Sequence, residues 1–102
     1  MEEIERLWAE HEALPFPKGH IKNDESSDIF IDFASCDTYA SGCIDNFITW
    51  NGRLDAERIT TLENCVTKLK ILIEYFDEDD ANFKKYSIQL LNLSEKVLAL
   101  CS

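Results

Sequence analysis

The chain has 102 residues, a length that suits one domain with a single core. A hydrophobic content of 45% excludes a disordered chain, and 20 acidic residues against 10 basic ones give a formal net charge of -10. A field of that sign repels phosphate backbones and anionic lipids, which argues against direct binding to nucleic acid or to a membrane surface.

The N-terminal segment predicts a short amphipathic helix that ends before Pro15. Its apolar side chains recur at spacings of three and four residues, at Ile4, Leu7, Trp8, His11 and Leu14. Because His11 falls on this apolar face, we expect it to be a hydrogen-bonded histidine in or beside the core. The connection that follows runs through Pro17 into a polar stretch that ends near residue 25.

The second segment predicts a longer helix that continues to about residue 50. Asp24, Ser26 or Ser27 can supply its N-cap, and Asn51 with Gly52 supplies its C-terminal stop. Its apolar stripe takes alternating steps of four and three residues, at Ile29, Phe33, Cys36, Ala40, Cys43, Phe47 and Trp50.

Two features of this segment admit a second interpretation. Ile29, Ile31 and Phe33 alternate as in a short strand, but the helical period accounts for 22 residues and the strand period for five, so a helix is favoured. Gly42 lies in the helix interior, where glycine costs about 1 kcal/mol relative to alanine. A close crossing with another helix, or chance, accounts for its presence.

Two further helices complete the chain. Asp55 begins the third as an N-cap, with Leu54 and Ile59 placed for a hydrophobic staple. The third stripe contains Ile59, Leu62, Val66, Leu69, Ile73 and Phe76, widened by Cys65 and Leu72. The acidic run at 77–80 then favours the N-terminus of the fourth helix. The fourth stripe contains Phe83, Tyr86, Leu90, Leu93, Val97 and Leu100.

These segments predict one all-α domain over residues 1–102, folded as a four-helix antiparallel up-and-down bundle. The connections around 50–54 and 77–80 are short, and short connections join antiparallel neighbours. The longer connection around 15–25 leaves the first helix free to cross the others. The cysteines fall on or beside apolar stripes, so buried thiols are favoured over metal or redox roles at Cys36, Cys43, Cys65 and Cys101.

The sequence indicates no catalytic, cofactor or metal site. The two histidines, His11 and His20, stand in no zinc-binding spacing, and no Glu-x-x-His motif of a di-iron bundle is present. Asp28 and Asp32 share a helix face, but the pattern indicates no cleft around them. We therefore expect a protein that is not an enzyme and needs no cofactor.

The same sequence points to a soluble protein of the cytoplasm. No apolar run approaches the ~18 residues that cross a bilayer. The acidic start of the chain is also unlike the basic and apolar regions of a signal peptide.

Acidic side chains concentrate in the first half of the chain. Residues 1–50 hold eleven acidic and three basic residues, a balance of -8, whereas residues 51–102 hold nine and seven, a balance of -2. Such a surface either maintains solubility or speeds encounter with a basic protein partner. In the second case the expected binding residues are Glu10, Glu12, Asp24, Glu25, Asp28, Asp32, Asp37 and Asp45.

The chain resembles the small acidic, helical immunity proteins with which bacteria neutralise a toxin, including those of contact-dependent growth inhibition. The likeness lies in size, helicity and acidity, together with the segments Leu14-Pro15-Phe16-Pro17, Gly42-Cys43 and Leu54-Asp55-Ala56-Glu57-Arg58. The resemblance implies a specific heterodimer with a toxin domain, for example a nuclease, in the cytoplasm.

The alternative is a structural or adaptor bundle without catalytic activity, in monomeric form or as a homo-oligomer. Ile31, Ile71 and Ile88 lie off the main stripes, and Phe16 lies in a loop. If these side chains cluster, they mark an interface; if they are scattered, they need no explanation.

Overall fold

The computed structural model describes residues 2–17, 28–76 and 78–101, and the regular secondary structure within them is entirely helical. Four α-helices occupy these ranges: α1 Glu2–Ala13, α2 Asp28–Thr49, α3 Ala56–Tyr75 and α4 Ala81–Cys101. A 3-10 turn, Glu78–Asp80, leads directly into α4. The all-α prediction is confirmed, and the segment with alternating isoleucines belongs to α2. The predicted N-caps Asp24, Ser26 and Ser27 lie outside the described residues.

Asp55 begins α3 as predicted. Its Oδ1 accepts a hydrogen bond from the backbone N–H of Arg58 at 2.8 Å, which satisfies one of the donors left free in the first turn. Its Oδ2 lies 2.6 Å from the Arg58 guanidinium. Leu54 packs against the core, while Ile59 is half-buried.

The stop after α2 is also confirmed, as a Schellman motif. Asn51 has a φ of 56° and Gly52 a φ of 90°, both in the left-handed region. The Gly52 N–H donates to the Phe47 carbonyl at 2.8 Å, and the Asn51 N–H donates to the Ile48 carbonyl at 3.2 Å. These bonds satisfy carbonyls that the end of the helix leaves without intrahelical donors.

The core is built from one face of each helix. Helix α3 packs against α2 and α4, and α1 packs mainly on α4. Aromatic rings fill one end, where the centroid of Phe33 lies 5.3 Å from that of Phe83 and 5.5 Å from that of Phe16. Phe16, although in a loop, is therefore part of this aromatic cluster. The side chains without measurable exposure are Phe33, Ala40, Ile44, Leu62, Leu69, Leu90, Ser87, Ser94 and Val97.

Two predicted stripe residues lie at helix ends and are exposed. Trp50 is 43% exposed just after α2, and Leu100 is 57% exposed in the last turn of α4. Ile44, which the predicted stripe left out, is fully buried. In α3, Cys65 and Leu72 are buried while Val66 and Ile73 are only half-buried, so the core face is rotated towards the first pair.

The close-crossing explanation of Gly42 is wrong. A Cβ added at this position would meet no heavy atom from elsewhere in the described structure within 4 Å. The residue lies on the exposed side of α2. The packing of the described residues therefore does not require a glycine at this position.

The cysteines, and the isoleucines that lie off the stripes, have the burial expected of them. Three of the four cysteines are buried and Cys101 is half-buried, all with free thiols. Ile31, Ile71 and Ile88 are exposed. Within the described ranges, no helix combines the length and hydropathy needed to cross a membrane.

Candidate functional site

The side chain of His11 on α1 packs against α4. Its side chain is buried, and its Nδ1 lies 2.8 Å from the Oε1 of Gln89. The imidazole stacks on Trp8 with 5.9 Å between centroids and lies 4.5 Å from the ring of Tyr86. The prediction of a hydrogen-bonded histidine beside the core is confirmed, and the contact sets the rotation of α1 about its own axis.

A surface ion pair supports the same docking. Glu3 on α1 lies 2.9 Å from the Nζ of Lys96 on α4. The hydrogen bond from this ammonium, together with its charge, lowers the pKa of the Glu3 carboxyl. Exposed pairs of this kind contribute little stability, so the buried contacts of His11 and Ile4 dominate the docking.

This docking leaves glutamates of α1 exposed on two flanks of the helix, because residues two apart, such as Glu10 and Glu12, do not share a face. Glu5, Glu10 and Glu12 are all exposed, and the Glu10 carboxylate lies 3.6 Å from the guanidinium of Arg6 one turn away. Two of the predicted partner-binding residues, Glu10 and Glu12, are thus surface carboxylates on one firmly packed helix.

The predicted acidic residues of α2 do not share one surface. Asp32 lies 3.5 Å from the Nζ of Lys68 on α3, whereas Asp37 accepts a hydrogen bond from Tyr86 on α4. These two carboxylates therefore point to opposite flanks of the helix. Asp45 is exposed. Asp24, Glu25 and the side chain of Asp28 lie outside the described part of the chain.

Asp37 is half-buried within a contact between helices. The Tyr86 hydroxyl donates to its Oδ1 at 2.6 Å, and the Ser41 hydroxyl lies 3.4 Å from the same oxygen. Burial is the largest factor that raises the pKa of Tyr86. The hydrogen bond to the Asp37 carboxylate and the charge of that carboxylate raise it further. This pairing gives Asp37 a role in joining α2 to α4.

A groove between α2 and α3 is a surface that the sequence analysis missed. Tyr39, 60% exposed, and Thr61 lie on its walls, and the buried thiols of Cys36, Cys43 and Cys65 line its base. The signal for it was in the sequence, since these cysteines sit on the facing stripes of both helices. The apolar stripes alone do not predict which side of the contact between α2 and α3 is open to solvent.

Arg58, which lines one end of this groove, contacts two further side chains. The Arg58 guanidinium lies 5.0 Å from the centre of the Trp50 ring and is held by the Asp55 carboxylate. A cation over an indole face is attracted by the ring quadrupole. These contacts join the end of α2 to the start of α3.

Among the described residues, no group of three or more histidine, cysteine, aspartate or glutamate side chains is placed to hold a metal ion. Comparison of the chain with protein-family models, with curated proteins and with solved structures finds no match.

Proposed function

We propose that this protein is an inhibitor of the immunity type, which binds a basic toxin domain through an acidic helical surface. The observation that carries the proposal is the docking of α1. Because Ile4 and His11 are buried against α4, the helix presents Glu5, Glu10 and Glu12 to solvent. The docked helix thus carries these residues at the surface before any partner arrives.

The distribution of charge supports the same proposal. The first half of the chain carries a balance of -8 out of -10, and α1 alone holds five glutamates against one arginine. A concentrated negative surface raises the rate of encounter with a positive partner and favours a complementary docking orientation. Asp45 is a further exposed carboxylate, on α2.

The partner that fits this chemistry is a protein with a basic groove. A nuclease toxin has such a groove where it holds phosphates, and an acidic helix placed there mimics the polyanion. The proposed complex is a heterodimer formed in the cytoplasm. Its action is steric, so it needs neither a catalytic residue nor a cofactor in this chain.

We further propose that the four helices run up and down as antiparallel neighbours. Within each neighbouring pair, contacts join early residues of one helix to late residues of the other. The contacts are Glu3–Lys96 and His11–Gln89 for α1 with α4, Asp32–Lys68 and Cys43–Arg58 for α2 with α3, and Phe76–Phe83 for α3 with α4.

A second candidate, a homo-oligomeric adaptor, is favoured by the exposed apolar side chains. Ile31, Tyr39, Ile71 and Leu100 are each more than half exposed. An assembly that covered several of them would gain about 25 cal/mol for each Å² of apolar surface buried. The net charge of -10 opposes self-association through the acidic surface.

The immobilised full-length chain, used to capture its partner from the source cell, tests the proposal. The captured protein is identified by mass spectrometry, purified and tested for toxicity with and without this chain. We expect a basic protein that forms a one-to-one complex, loses its toxicity in that complex, and associates more slowly as salt rises.

Light scattering of the isolated chain distinguishes the two candidates. A monomer whose captured partner is a basic toxin agrees with the proposal. A homodimer that persists at low concentration, with no basic protein captured, contradicts it and supports the adaptor.

A further inference from the structure

The base of the groove between α2 and α3 brings two thiols together. Cys36 projects from α2 and Cys65 from α3, and both side chains line the same opening, with Ser35 and Asn64 on its walls. Each cysteine is only 6% exposed. The pair is therefore buried in the helix contact but reachable by a small molecule that enters the groove.

Contacts on either side fix the register of this pair. Asp32 and Lys68 form an ion pair at 3.5 Å on one side, and the Cys43 thiol lies 3.6 Å from the Arg58 carbonyl oxygen on the other. Cys36 and Cys65 lie between these two contacts and line the same opening. Their pairing follows from how the helices are aligned and does not depend on a mobile loop.

The environments of the thiols differ in a way that matters for reactivity. The hydrogen bond donated by Cys36 lowers the pKa of Cys65, and the same bond raises the pKa of Cys36. Burial raises the pKa of Cys43 and of Cys101. Because the thiolate is the nucleophile, Cys65 is the best placed of the four to react first.

We propose that Cys36 and Cys65 form an oxidisable dithiol site, which hydroperoxides convert into a disulfide between α2 and α3. In the first step the Cys65 sulfur attacks a peroxide oxygen, the O–O bond breaks, and Cys65 becomes a sulfenic acid as the peroxide leaves as water or an alcohol. In the second step the Cys36 sulfur attacks the Cys65 sulfur, the S–O bond breaks, and water is released.

The pair loses two electrons and two protons in total, and the hydroperoxide is reduced. A disulfide requires a sulfur–sulfur distance of about 2 Å, shorter than any hydrogen-bonded thiol contact. Closure therefore brings the two sulfur atoms closer together at the groove. A thiol reductant reverses the reaction.

This inference does not depend on the proposed inhibitory function, because it concerns only the chemistry of the groove. The two remaining cysteines act as internal comparisons. Cys43 points towards the Arg58 carbonyl oxygen, and Cys101 is the most exposed of the four. If exposure alone governed oxidation, Cys101 would react first.

The test treats the native full-length chain with hydrogen peroxide, blocks the remaining thiols under denaturing conditions, and maps the products by digestion and mass spectrometry. We expect the intact chain to lose the mass of two hydrogen atoms, and a single cross-linked peptide pair to contain Cys36 and Cys65. Dithiothreitol should restore the original mass.

Serine variants identify the order of events. With Cys36→Ser, oxidation should stop at a sulfenic acid on Cys65, which dimedone traps, whereas Cys43→Ser should keep the cross-link. The mapping of the wild-type chain decides the question even if a variant fails to fold. A native chain that forms no Cys36–Cys65 link, that links Cys43 to Cys65 instead, or that is oxidised first at Cys101 would overturn the proposal.

Discussion

The Tyr86 hydroxyl of α4 donates a hydrogen bond to Asp37 of α2, with 2.6 Å between the Oη and Oδ1 atoms. The ring of the same tyrosine lies 4.5 Å from that of His11 on α1. One side chain of α4 thus contacts two other helices, and its position ties the docking of α1 to the contact between α2 and α4.

Replacing Tyr86 with phenylalanine should destabilise the protein. The variant leaves the half-buried Asp37 carboxylate without its closest donor, and hydrogen bonds to charged groups contribute about 1.5–3 kcal/mol. Urea unfolding followed by circular dichroism measures the loss. Tyr39→Phe is the matched control, because Tyr39 is 60% exposed and should change stability by less than about 0.5 kcal/mol. Equal losses at the two positions would contradict this role of Tyr86.

The same pair makes stability depend on alkaline pH. Burial and the neighbouring carboxylate raise the pKa of Tyr86, whereas a tyrosine of the unfolded chain ionises near pH 10. Above about pH 10 the unfolded chain loses a proton that the folded chain keeps, so the free energy of unfolding falls as pH rises. The stabilising contribution is fully present below that pH.

Urea unfolding at about pH 8 and at about pH 11, on either side of the ordinary tyrosine pKa, detects this effect. The wild-type chain should lose more stability between the two than Tyr86→Phe, which has no proton to lose at this position. Parallel losses in the two proteins would show that other groups cause the whole decline.

Burial of α3 and α4 residues predicts a sharp contrast among single substitutions. Leu69 and Leu90 have no exposed surface, so Leu69→Ala or Leu90→Ala should cost about 2–5 kcal/mol through lost burial and the cavity left behind. Ile71, two residues from Leu69 but 60% exposed, is the control, and Ile71→Ala should cost well under that. If denaturant unfolding shows that Ile71→Ala and Leu69→Ala lose the same free energy of unfolding, the described orientation of α3 is wrong.

Replacing each of two glycines with alanine should change the stability of the protein in opposite directions. Gly42→Ala adds a methyl group into open space within a helix, where alanine is favoured by up to about 1 kcal/mol. Gly52→Ala places a side chain at a φ of 90°, which costs an L residue at least about 1–2 kcal/mol. Thermal melts of both variants should show a higher midpoint for the first and a lower one for the second. A lower midpoint for Gly42→Ala would mean that the open space does not exist in solution.

The acidic surface makes a kinetic prediction about the captured partner. Neutralising Glu10, Glu12 and Asp45 together, as Gln, Gln and Asn, should slow association at low salt, while affinity changes less because buried anchors usually dominate it. The control neutralises three exposed glutamates of α3: Glu57, Glu63 and Glu74. Stopped-flow or surface-plasmon measurements give the on-rates. If the first variant associates as fast as the wild type, the acidic surface serves only solubility.

The sequence was sufficient to predict the features that depend on neighbouring residues. The Asp55 cap and the Asn51-Gly52 stop rest on hydrogen bonds that span three to five residues, so the local residue types dictate them. Helical periodicity likewise placed Leu69 and Leu90 in the core, and assigned Ile71 to the exposed side of α3.

Only the tertiary structure decided what each helix face meets. Asp32 and Asp37 look equivalent as acidic residues of α2, yet one pairs with Lys68 of α3 and the other with Tyr86 of α4. Periodicity also gave no reason to pair Cys36 with Cys65. Such partners are set by which helices become neighbours and by the rotation of each about its axis. These depend on the packing of the whole core, which no local pattern contains.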